Sequence, residues 1–162
     1  MGKLSGKVAL VTGGAGGIGR AIARVLADEG AHIGIVDKNM EGAKSTADEI
    51  GRFGVRTASA GADVSDEAQS EAAFAAVTKT LGDIDILCNN AGIGTSSPFS
   101  QMSLDMWDEM IRVNLRSMFL CTRLVLPAMR RKKWGRIINT ASQLGHKGAP
   151  QDRKSTRLNS SH

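Results

Sequence analysis

Five short apolar runs alternate with longer amphipathic stretches along the chain. The runs, at residues 8–11, 32–36, 55–60, 84–88 and 136–140, have the length and composition of buried strands. In the stretches between them, apolar residues recur every three or four positions, which predicts helices. Strands that alternate with helices predict an α/β fold in which a doubly wound parallel sheet has helices on both faces, three layers in all.

The helix starts can be placed from polar residues that precede the periodic stretches. Asn39 and Ser65 are the predicted N-caps of the second and third helices, and a long helix is expected from about Ser103 to Lys132. The first helix has no such residue and begins directly after glycines. Its apolar positions, which we expect to face the sheet, are Ile18, Ala21, Ile22, Val25 and Leu26.

The first strand ends in a turn that contains five glycines within seven residues. Residues 7–19 read KVALVTGGAGGIG. Glycine permits backbone conformations that other residues avoid, and without β-carbons a ligand can approach the backbone closely. Amides at a helix start, together with the helix dipole, attract anions. The unit of strand, glycine turn and helix therefore predicts a site for a diphosphate group.

An acidic residue follows the second strand. Asp37 lies roughly 20 residues beyond the glycine turn, where a carboxylate would accept hydrogen bonds from an adenine ribose. An ordinary turn residue is the alternative interpretation of Asp37. The other candidate residues also follow strand ends or lie on the long helix, which is where open α/β sheets bind ligands.

Composition limits the class of protein. The chain has 162 residues, of which 41% are hydrophobic and 23% charged, enough for one soluble domain. It has no apolar run long enough for a membrane span and no signal-peptide pattern. Cys88 and Cys121 suit packed thiols in a cytoplasmic protein, and with His32 and His146 they lack the spacing of metal ligands. The net charge of +5 includes a basic cluster at 130–133 that closes a helix, so we expect no nucleic-acid binding.

The ordered set of motifs resembles the short-chain dehydrogenase/reductase family. The motifs that carry the resemblance are TGGAGGIG at 12–19, Asp37, Asp63 with Val64, NNAG at 89–92, Asn114, and INTAS ending at Ser142. The resemblance extends to about Gln151. It implies a Rossmann-type sheet of about five strands in the order 3-2-1-4-5, incomplete for the family, and one NAD(P)-binding domain over residues 1–151.

The resemblance also implies roles for individual residues. Cofactor-binding roles fall on the turn residues Thr12, Gly13, Gly14, Ala15, Gly16, Gly17, Ile18 and Gly19, on Asp37 and Lys38, on Asp63 and Val64, and on Asn90, Ala91 and Gly92. Asp37 would bind the adenine ribose, Asp63 the adenine amino group, and Val64 the ring. The two catalytic roles fall on Asn114, which would hold a water in a proton relay, and on Ser142, which would bind the reacting carbonyl or alcohol.

Both catalytic assignments have a plainer alternative. Asn114 lies among apolar residues of the long helix, where an unpaired polar group costs about 1 to 3 kcal/mol, so a structural hydrogen bond to a loop would also explain it. Ser142 could be an ordinary serine at a strand end. In hydride transfer the nicotinamide supplies the hydride, and the protein supplies a proton donor and polarising groups.

Charge favours NAD over NADP as the cofactor. The 2′-phosphate of NADP would meet the carboxylate of Asp37, whereas the diol of NAD would meet two acceptor oxygens. Lys38 is evidence in the other direction, because family members that use NADP often have a basic residue at that position. They also often have one where this chain has Gly16.

The chain departs from the family pattern in one respect. The family's proton donor is a tyrosine followed four positions later by a lysine, and this chain contains no tyrosine. Residues 152–162 read DRKSTRLNSSH, which matches a translated sequencing adapter, and we expect a non-native or disordered tail there. We therefore expect the cofactor-binding half of an enzyme that forms a homodimer or homotetramer and acts on a small alcohol or carbonyl compound. A non-catalytic dinucleotide-binding regulator is the alternative.

Overall fold

The computed structural model describes residues 2–94 and 97–142. The strands are β1 Val8–Thr12, β2 His32–Asp37, β3 Thr57–Gly61, β4 Ile86–Asn89 and β5 Arg136–Asn139. The α-helices are α1 Gly17–Asp28, α2 Met40–Gly51, α3 Glu67–Leu81, α4 Leu104–Ile111 and α5 Ser117–Lys132. A 3₁₀ turn, Phe99–Gln101, precedes α4, and a π-helical turn, Arg112–Arg116, joins α4 to α5.

The five strands form one parallel sheet in the order β3-β2-β1-β4-β5, which confirms the predicted fold class and strand order. All five residues of β1 are buried, as expected for the central strand of a sheet covered on both faces. The register pairs Thr12 with Val36 and Val11 with Cys88. The carboxyl ends of β1, β2 and β4 therefore lie together at one edge of the sheet.

Apolar side chains fill both spaces between the sheet and its helices. On one face, Leu10 and Leu87 of the sheet pack with α3 and α5 residues such as Val77 and Val125. On the other face, Ile33 and Ile35 pack with the small residues of α1 and α2. Because odd and even strand positions point to opposite faces, β1, β2 and β4 each contribute to both clusters.

The prediction of which residues of α1 face the sheet is largely wrong. Ile18 and Val25 are 67% and 65% exposed, and Ile22 and Leu26 only border the core. The buried residues of the helix are Gly19, Ala23 and Ala27. A β-carbon on Gly19 would lie 2.1 Å from the carbonyl oxygen of Gly13. The helix start is therefore too close to the turn for a larger side chain, and small residues face the sheet instead.

One of the two predicted caps is confirmed and the other is wrong. The Asn39 side chain accepts a hydrogen bond from the Gly42 amide at 3.0 Å and caps α2. The cap of α3 is Asp66 instead of Ser65, and it accepts from the amide of Gln69 at 2.9 Å. Ser65 is buried, and its hydroxyl donates to Asp63. The third and fourth strands each begin two residues later than predicted.

The long helix is present over the predicted range, capped by Ser103, but the π-helical turn interrupts it. The hydrophobic pattern did not indicate this turn. Along the helix, an apolar stripe is exposed that consists of Leu104, Trp107, Ile111, Leu115 and Phe119. Among the residues that the structure describes, none of the helices combines the length and apolar character that crossing a bilayer requires.

Candidate functional site

The glycine turn between β1 and α1 leaves the start of α1 open. Gly13 and Gly17 have φ angles of +67° and +51°, a backbone region in which other residues are strained. Among the described residues no side chain caps α1, and its first turn has no acidic residue. In contrast, α2, α3 and α4 each begin with a capping side chain.

Space is also free above this helix start. A β-carbon built on Gly16 or Gly17 would have no described atom within 4 Å. The first amides of a helix have no partners within the helix, and they carry the positive end of its dipole. The turn therefore fits a bound anion in both charge and shape.

Asp37 lies at the mouth of this turn. Its Oδ2 atom accepts a hydrogen bond from the Ala15 amide at 3.0 Å, and its Oδ1 atom accepts one from the Asn39 amide at 2.9 Å. A carboxylate has about four acceptor positions, so about two of them are not used by these bonds. Asp37 is therefore fixed in orientation by the turn and can still accept hydrogen bonds from a diol.

The loop after β4 is joined to the same turn. The amides of Asn90 and Ala91 both donate to the Thr12 hydroxyl at 3.1 Å. The Asn90 side-chain amide donates to the carbonyl oxygens of Thr12 and Gly13 at 3.2 Å. A β-carbon on Gly13 would lie 2.8 Å from the α-carbon of Ala91, so this contact needs glycine. These bonds hold β1 and β4 together at the edge of the sheet where the candidate residues lie.

A cavity of about 140 Å³ lies beside the turn, across the ends of β1, β2 and β3. It is lined by Gly13, Val36, Asp37, Lys38, Ala62, Asp63, Val64, Ala91, Gly92, Ile93 and Val113. Seven of these residues belong to the predicted cofactor-binding set. The others, all apolar, were missed, because apolar residues that line a cavity show the same sequence pattern as residues of the core.

Asp63 is the most heavily hydrogen-bonded side chain of this region. Its Oδ1 atom accepts from the amide of Ser65 at 3.0 Å and from the hydroxyl of Ser65 at 2.5 Å. Its Oδ2 atom lies 3.2 Å from both the Lys38 ammonium and the Arg112 guanidinium. Burial opposes the ionisation of Asp63, but the bonds from Ser65, Lys38 and Arg112 outweigh it and hold the pKa of Asp63 well below its usual range.

These four contacts use about as many acceptor positions as a carboxylate has. The predicted hydrogen bond from an adenine amino group to Asp63 would need one of these donors to leave. Arg112 was not among the predicted site residues. No feature of the sequence indicated that it would reach Asp63, since 49 residues separate the two.

The side chain of Asn114 bonds to the loop that follows β4. Its Oδ1 atom accepts from the Ile93 amide at 2.8 Å, and its Nδ2 atom donates to the Ile93 carbonyl oxygen at 3.0 Å. This is the structural hydrogen bond that the sequence left open as the alternative. Asn114 lies within the π-helical turn, a type of irregularity that is frequent at functional sites.

Ser142 follows β5 and is exposed. The backbone between them is anchored by Thr140, whose amide donates to the Asn89 carbonyl oxygen at 3.0 Å. Ser142 therefore follows the carboxyl end of a parallel strand, at the same edge of the sheet as the glycine turn. The predicted tail and the loop at 143–151 lie outside the described residues.

Comparison with known proteins agrees with this geometry. A family model described as short chain dehydrogenase matches residues 7–153, which is most of the chain. The chain belongs to the short chain dehydrogenase family. The matched range covers every residue to which the sequence assigned a role.

Curated members of the family are similar over nearly all of this chain. The 3-oxoacyl-(acyl-carrier-protein) reductase FabG of Aquifex aeolicus is 42% identical over 147 residues, which are 90% of this chain and 59% of that protein. The D-threitol dehydrogenase of Mycolicibacterium smegmatis is 46% identical over 143 residues, which are 87% of this chain and 54% of that protein. The chain thus spans a little over half the length of these short chain dehydrogenases.

A solved structure of an NAD⁺-bound xylitol dehydrogenase has the same fold. It has a TM-score of 0.89 and 35% identity to this chain, and the match covers 94% of this chain and 59% of that one. A putative short-chain alcohol dehydrogenase of Sinorhizobium meliloti gives a TM-score of 0.88 at 34% identity, with 94% and 60% covered. The fold of this chain is therefore the fold of the corresponding part of these dehydrogenases.

Proposed function

We propose that this chain is the dinucleotide-binding part of an NAD-dependent oxidoreductase that transfers hydride between nicotinamide and an alcohol or carbonyl substrate. The observation that carries the proposal is the Asp37 carboxylate, which the Ala15 amide fixes at the opening of the uncapped helix α1. That pairing puts an acceptor for a ribose diol beside a binding place for a diphosphate.

The residues at this edge fit such a cofactor. The amide of Gly13 donates to Val36 and that of Ala15 to Asp37, so the other backbone amides of residues 14–19 would hold the diphosphate. Thr12 braces the turn against Asn90 and Ala91. The cavity beside the turn, lined by Val64 and Val113, would take the adenine ring. When bound, the cofactor supplies the hydride. The residues of this chain bind the cofactor, orient it and shield it from water.

We propose NAD as the preferred cofactor. A 2′-phosphate at the ribose would lie against the negative charge of Asp37. Lys38, which could attract such a phosphate, is paired with Asp63 at 3.2 Å. One structural relative within the family is an NAD⁺-bound dehydrogenase, which is in line with this preference.

Ser142 and Asn114 are the proposed residues on the substrate side. The Ser142 hydroxyl, beyond the end of β5, would donate a hydrogen bond to the reacting oxygen. Asn114 would hold the π-helical turn against Ile93 and contribute to a proton relay through a water. Because the chain contains no tyrosine, we expect it to bind the cofactor by itself without turnover.

The remaining assignments concern the parent protein. We propose that residues 1–151 belong to one domain, that the tail at 152–162 plays no part in it, and that the parent protein is cytoplasmic. The exposed apolar stripe of the long helix would then contact a second subunit in a homodimer or homotetramer.

A dinucleotide-binding regulator without catalysis is the second candidate, and the bonds of Asn114 to Ile93, which are a structural contact, fit it as well. The two functions differ once the cofactor is bound. An enzyme oxidises an alcohol to a carbonyl compound and reduces NAD⁺ to NADH when the complete protein is given NAD⁺ and a panel of alcohols, whereas a regulator binds NAD⁺ and leaves the panel unchanged. Absorbance at 340 nm distinguishes the two.

Binding itself can be tested on this chain by calorimetric titration with NAD and with ADP-ribose. We expect both to bind, and we expect Asp37→Asn to weaken both by about tenfold, because two hydrogen bonds to a charged acceptor are weakened. Asp48→Asn is the matched control, since Asp48 is an exposed carboxylate of α2 paired with Lys44. Equal affinities for the two variants, or no binding of either ligand by the unaltered chain, would contradict the proposal.

A further inference from the structure

Polar side chains from α1 and α2 hold the carbonyl group of Ala15 in the glycine turn. The Nη2 atom of Arg20 donates to the Ala15 carbonyl oxygen at 2.9 Å, and the Thr46 hydroxyl donates to the same oxygen at 3.3 Å. The Nε atom of Arg20 donates in turn to the Thr46 hydroxyl at 3.1 Å. We call Arg20, Thr46 and the Ala15 carbonyl group the Ala15 clamp, because each of the three contacts the other two.

Thr46 has no solvent exposure, so its hydroxyl depends on partners within the protein. A threonine hydroxyl in a helix can bond to a carbonyl oxygen of its own helix, whereas this one bonds to the glycine turn, 31 residues away in the sequence. A carbonyl oxygen has two acceptor positions, and the clamp uses both of them at Ala15. The direction of this carbonyl group is therefore fixed from two helices.

The direction of the Ala15 carbonyl group also sets the direction of the next amide. The peptide bond between Ala15 and Gly16 is trans, so its N–H group points opposite to its C=O group. Among the described residues the Gly16 amide has no acceptor, and a β-carbon on Gly16 would have no described atom within 4 Å. The clamp therefore directs the Gly16 amide into the open space above the turn.

The guanidinium of Arg20 adds charge to this arrangement. A cation bonded to a carbonyl oxygen polarises the peptide group, which makes its N–H group a stronger donor. Arg20 also lies 3.9 Å from the Glu49 carboxylate, and Arg24, one turn further along α1, pairs with the same carboxylate at 3.5 Å. The two arginines share a helix and an acidic partner, but of the two only Arg20 bonds to the turn in the described part of the chain.

The amide of Ala15 is held separately from its carbonyl group. It belongs to the preceding peptide group and donates to Asp37 at 3.0 Å. Asp37 thus fixes one peptide group of the turn, and the clamp fixes the next. Loss of the clamp should leave the bond between Ala15 and Asp37 in place.

From this geometry we propose that Arg20 and Thr46 are positioning residues for the diphosphate. They act through the Ala15 carbonyl group, which directs the Gly16 amide at the ligand, and they do not contact the ligand themselves. The inference rests on the proposed function, because it needs a dinucleotide above the glycine turn. It makes α2 part of the support of the diphosphate site.

Two ligands separate the diphosphate from the rest of the cofactor. ADP-ribose contains adenine, ribose and the diphosphate, whereas adenosine lacks the diphosphate. Calorimetric titration gives the dissociation constant of ADP-ribose for each variant, and competition against ADP-ribose gives that of adenosine. Variants of the clamp should weaken the binding of ADP-ribose and leave that of adenosine within about twofold, because adenosine has no group for the Gly16 amide to bind.

The variants of the clamp differ in how much of it they remove. Arg20→Met should weaken the binding of ADP-ribose about tenfold, because the charged donor to the Ala15 carbonyl group is lost. Thr46→Val changes no charge and should weaken it about threefold, because a neutral donor is lost. Thr46→Ser keeps the hydroxyl and should restore the affinity of the unaltered chain.

Arg24→Met is the matched control for charge. It removes the same charge from the same helix and the same acidic partner, and it leaves the clamp intact. We expect it to change the affinity for ADP-ribose by less than about twofold, since an exposed charge without a contact acts weakly. The effect of Arg20→Met should persist at about 0.5 M salt, where attraction between distant charges is screened.

Three results would overturn the proposal. In the first, Arg20→Met and Arg24→Met weaken the binding of ADP-ribose equally, so that charge alone explains the loss. In the second, Thr46→Val binds ADP-ribose as the unaltered chain does, or Thr46→Ser binds it as weakly as Thr46→Val. In the third, adenosine loses as much affinity as ADP-ribose, which would show a general loss of structure in the site.

Arg20→Lys covers the case in which Arg20→Met does not fold. Lysine keeps the charge but has no planar fork to bond Ala15 and Thr46 together, so we expect about threefold weaker binding of ADP-ribose. Equal affinity of Arg20→Lys and the unaltered chain would contradict the proposal.

The failure of this inference differs from that of the proposed function. Asp37→Asn should weaken both ligands, because both contain the ribose. If the unaltered chain binds neither NAD nor ADP-ribose, the proposed function fails and this inference fails with it. If it binds both and the clamp variants bind ADP-ribose equally well, only the inference fails.

Discussion

The two sides of the central strand β1 differ in how completely the described residues cover them. On one side, β2 is buried along most of its length beneath α1 and α2. On the other side, three of the four residues of β5 are exposed, including Ile138, and the apolar stripe of the long helix faces outward. Apolar surface of this extent marks an interaction site or a face that another part of the protein covers.

This difference matters for the site. The glycine turn, Asp37 and the cavity are held by contacts with β1, β2 and β4, so the proposed cofactor side is anchored within the described residues. Ser142 lies beyond β5, on the less covered side. Under the proposed function, the covered side would bind the cofactor, and Ser142 on the less covered side would contact the substrate.

The largest effect is expected where the covered side is most tightly packed. Gly19→Ala would place a methyl group 2.1 Å from the Gly13 carbonyl oxygen, and we expect a loss of about 3 kcal/mol or more in the free energy of unfolding. Gly16→Ala adds the same group where no described atom lies within 4 Å, so its stability should stay within about 0.5 kcal/mol. Urea denaturation followed by circular dichroism compares the two. Equal stabilities would show that the turn can shift.

Shortening one leucine on each side compares the covered side with the less covered side directly. Leu10 is fully buried in β1, and Leu115 is 61% exposed in the stripe. Leu10→Ala should reduce the free energy of unfolding by about 2 to 5 kcal/mol, because it leaves a cavity. Leu115→Ala should change it by less than about 0.5 kcal/mol. A large loss in Leu115→Ala would mean that the stripe packs against something in solution.

A smaller effect concerns the contact between Asp63 and Arg112, which ties β3 to the long helix. Since the pKa of Asp63 is lowered in the folded protein, its contribution to stability is present above the ordinary carboxyl pKa and is lost as pH falls through the folded-state value. Stability should therefore decline below about pH 4. Asp63→Asn should show a shallower decline there in thermal melts at pH 2 to 6. If the unaltered chain and Asp63→Asn lost stability equally at low pH, the expectation would be contradicted.

The smallest signal comes from the two cysteines. Burial raises the pKa of Cys88 to about 11 and that of Cys121 to about 12, so both thiols are protonated at pH 8 and react slowly with thiol reagents. We expect Cys88 of β4 and Cys121 of α5 to become reactive only at the rate of global unfolding. Faster labelling of Cys121 would show that the long helix opens locally on the less covered side.

The alternation of strands and helices and the position of the glycine turn could be predicted because they depend on local pattern, whereas the strand order followed from the family resemblance. A fully apolar run predicts a buried strand, and clustered glycines predict a backbone that other residues avoid. Asp37 could be placed for the same reason, since it directly follows a strand. By itself the sequence therefore determined the sheet, the turn and the family resemblance.

Only the tertiary structure decided contacts between residues distant in sequence. In the folded chain, Ala23 and Ala27 pack against the sheet, and Ile18 and Val25 do not. The reason is the short distance between α1 and the glycine turn, which depends on how the two pack together. The Ser65 hydroxyl donates a hydrogen bond to Asp63, and Asp66 caps α3 in its place. The π-helical turn and the approach of Arg112 to Asp63 arise in the same way. Such contacts depend on the distance between packed elements, which hydrophobic periodicity does not encode.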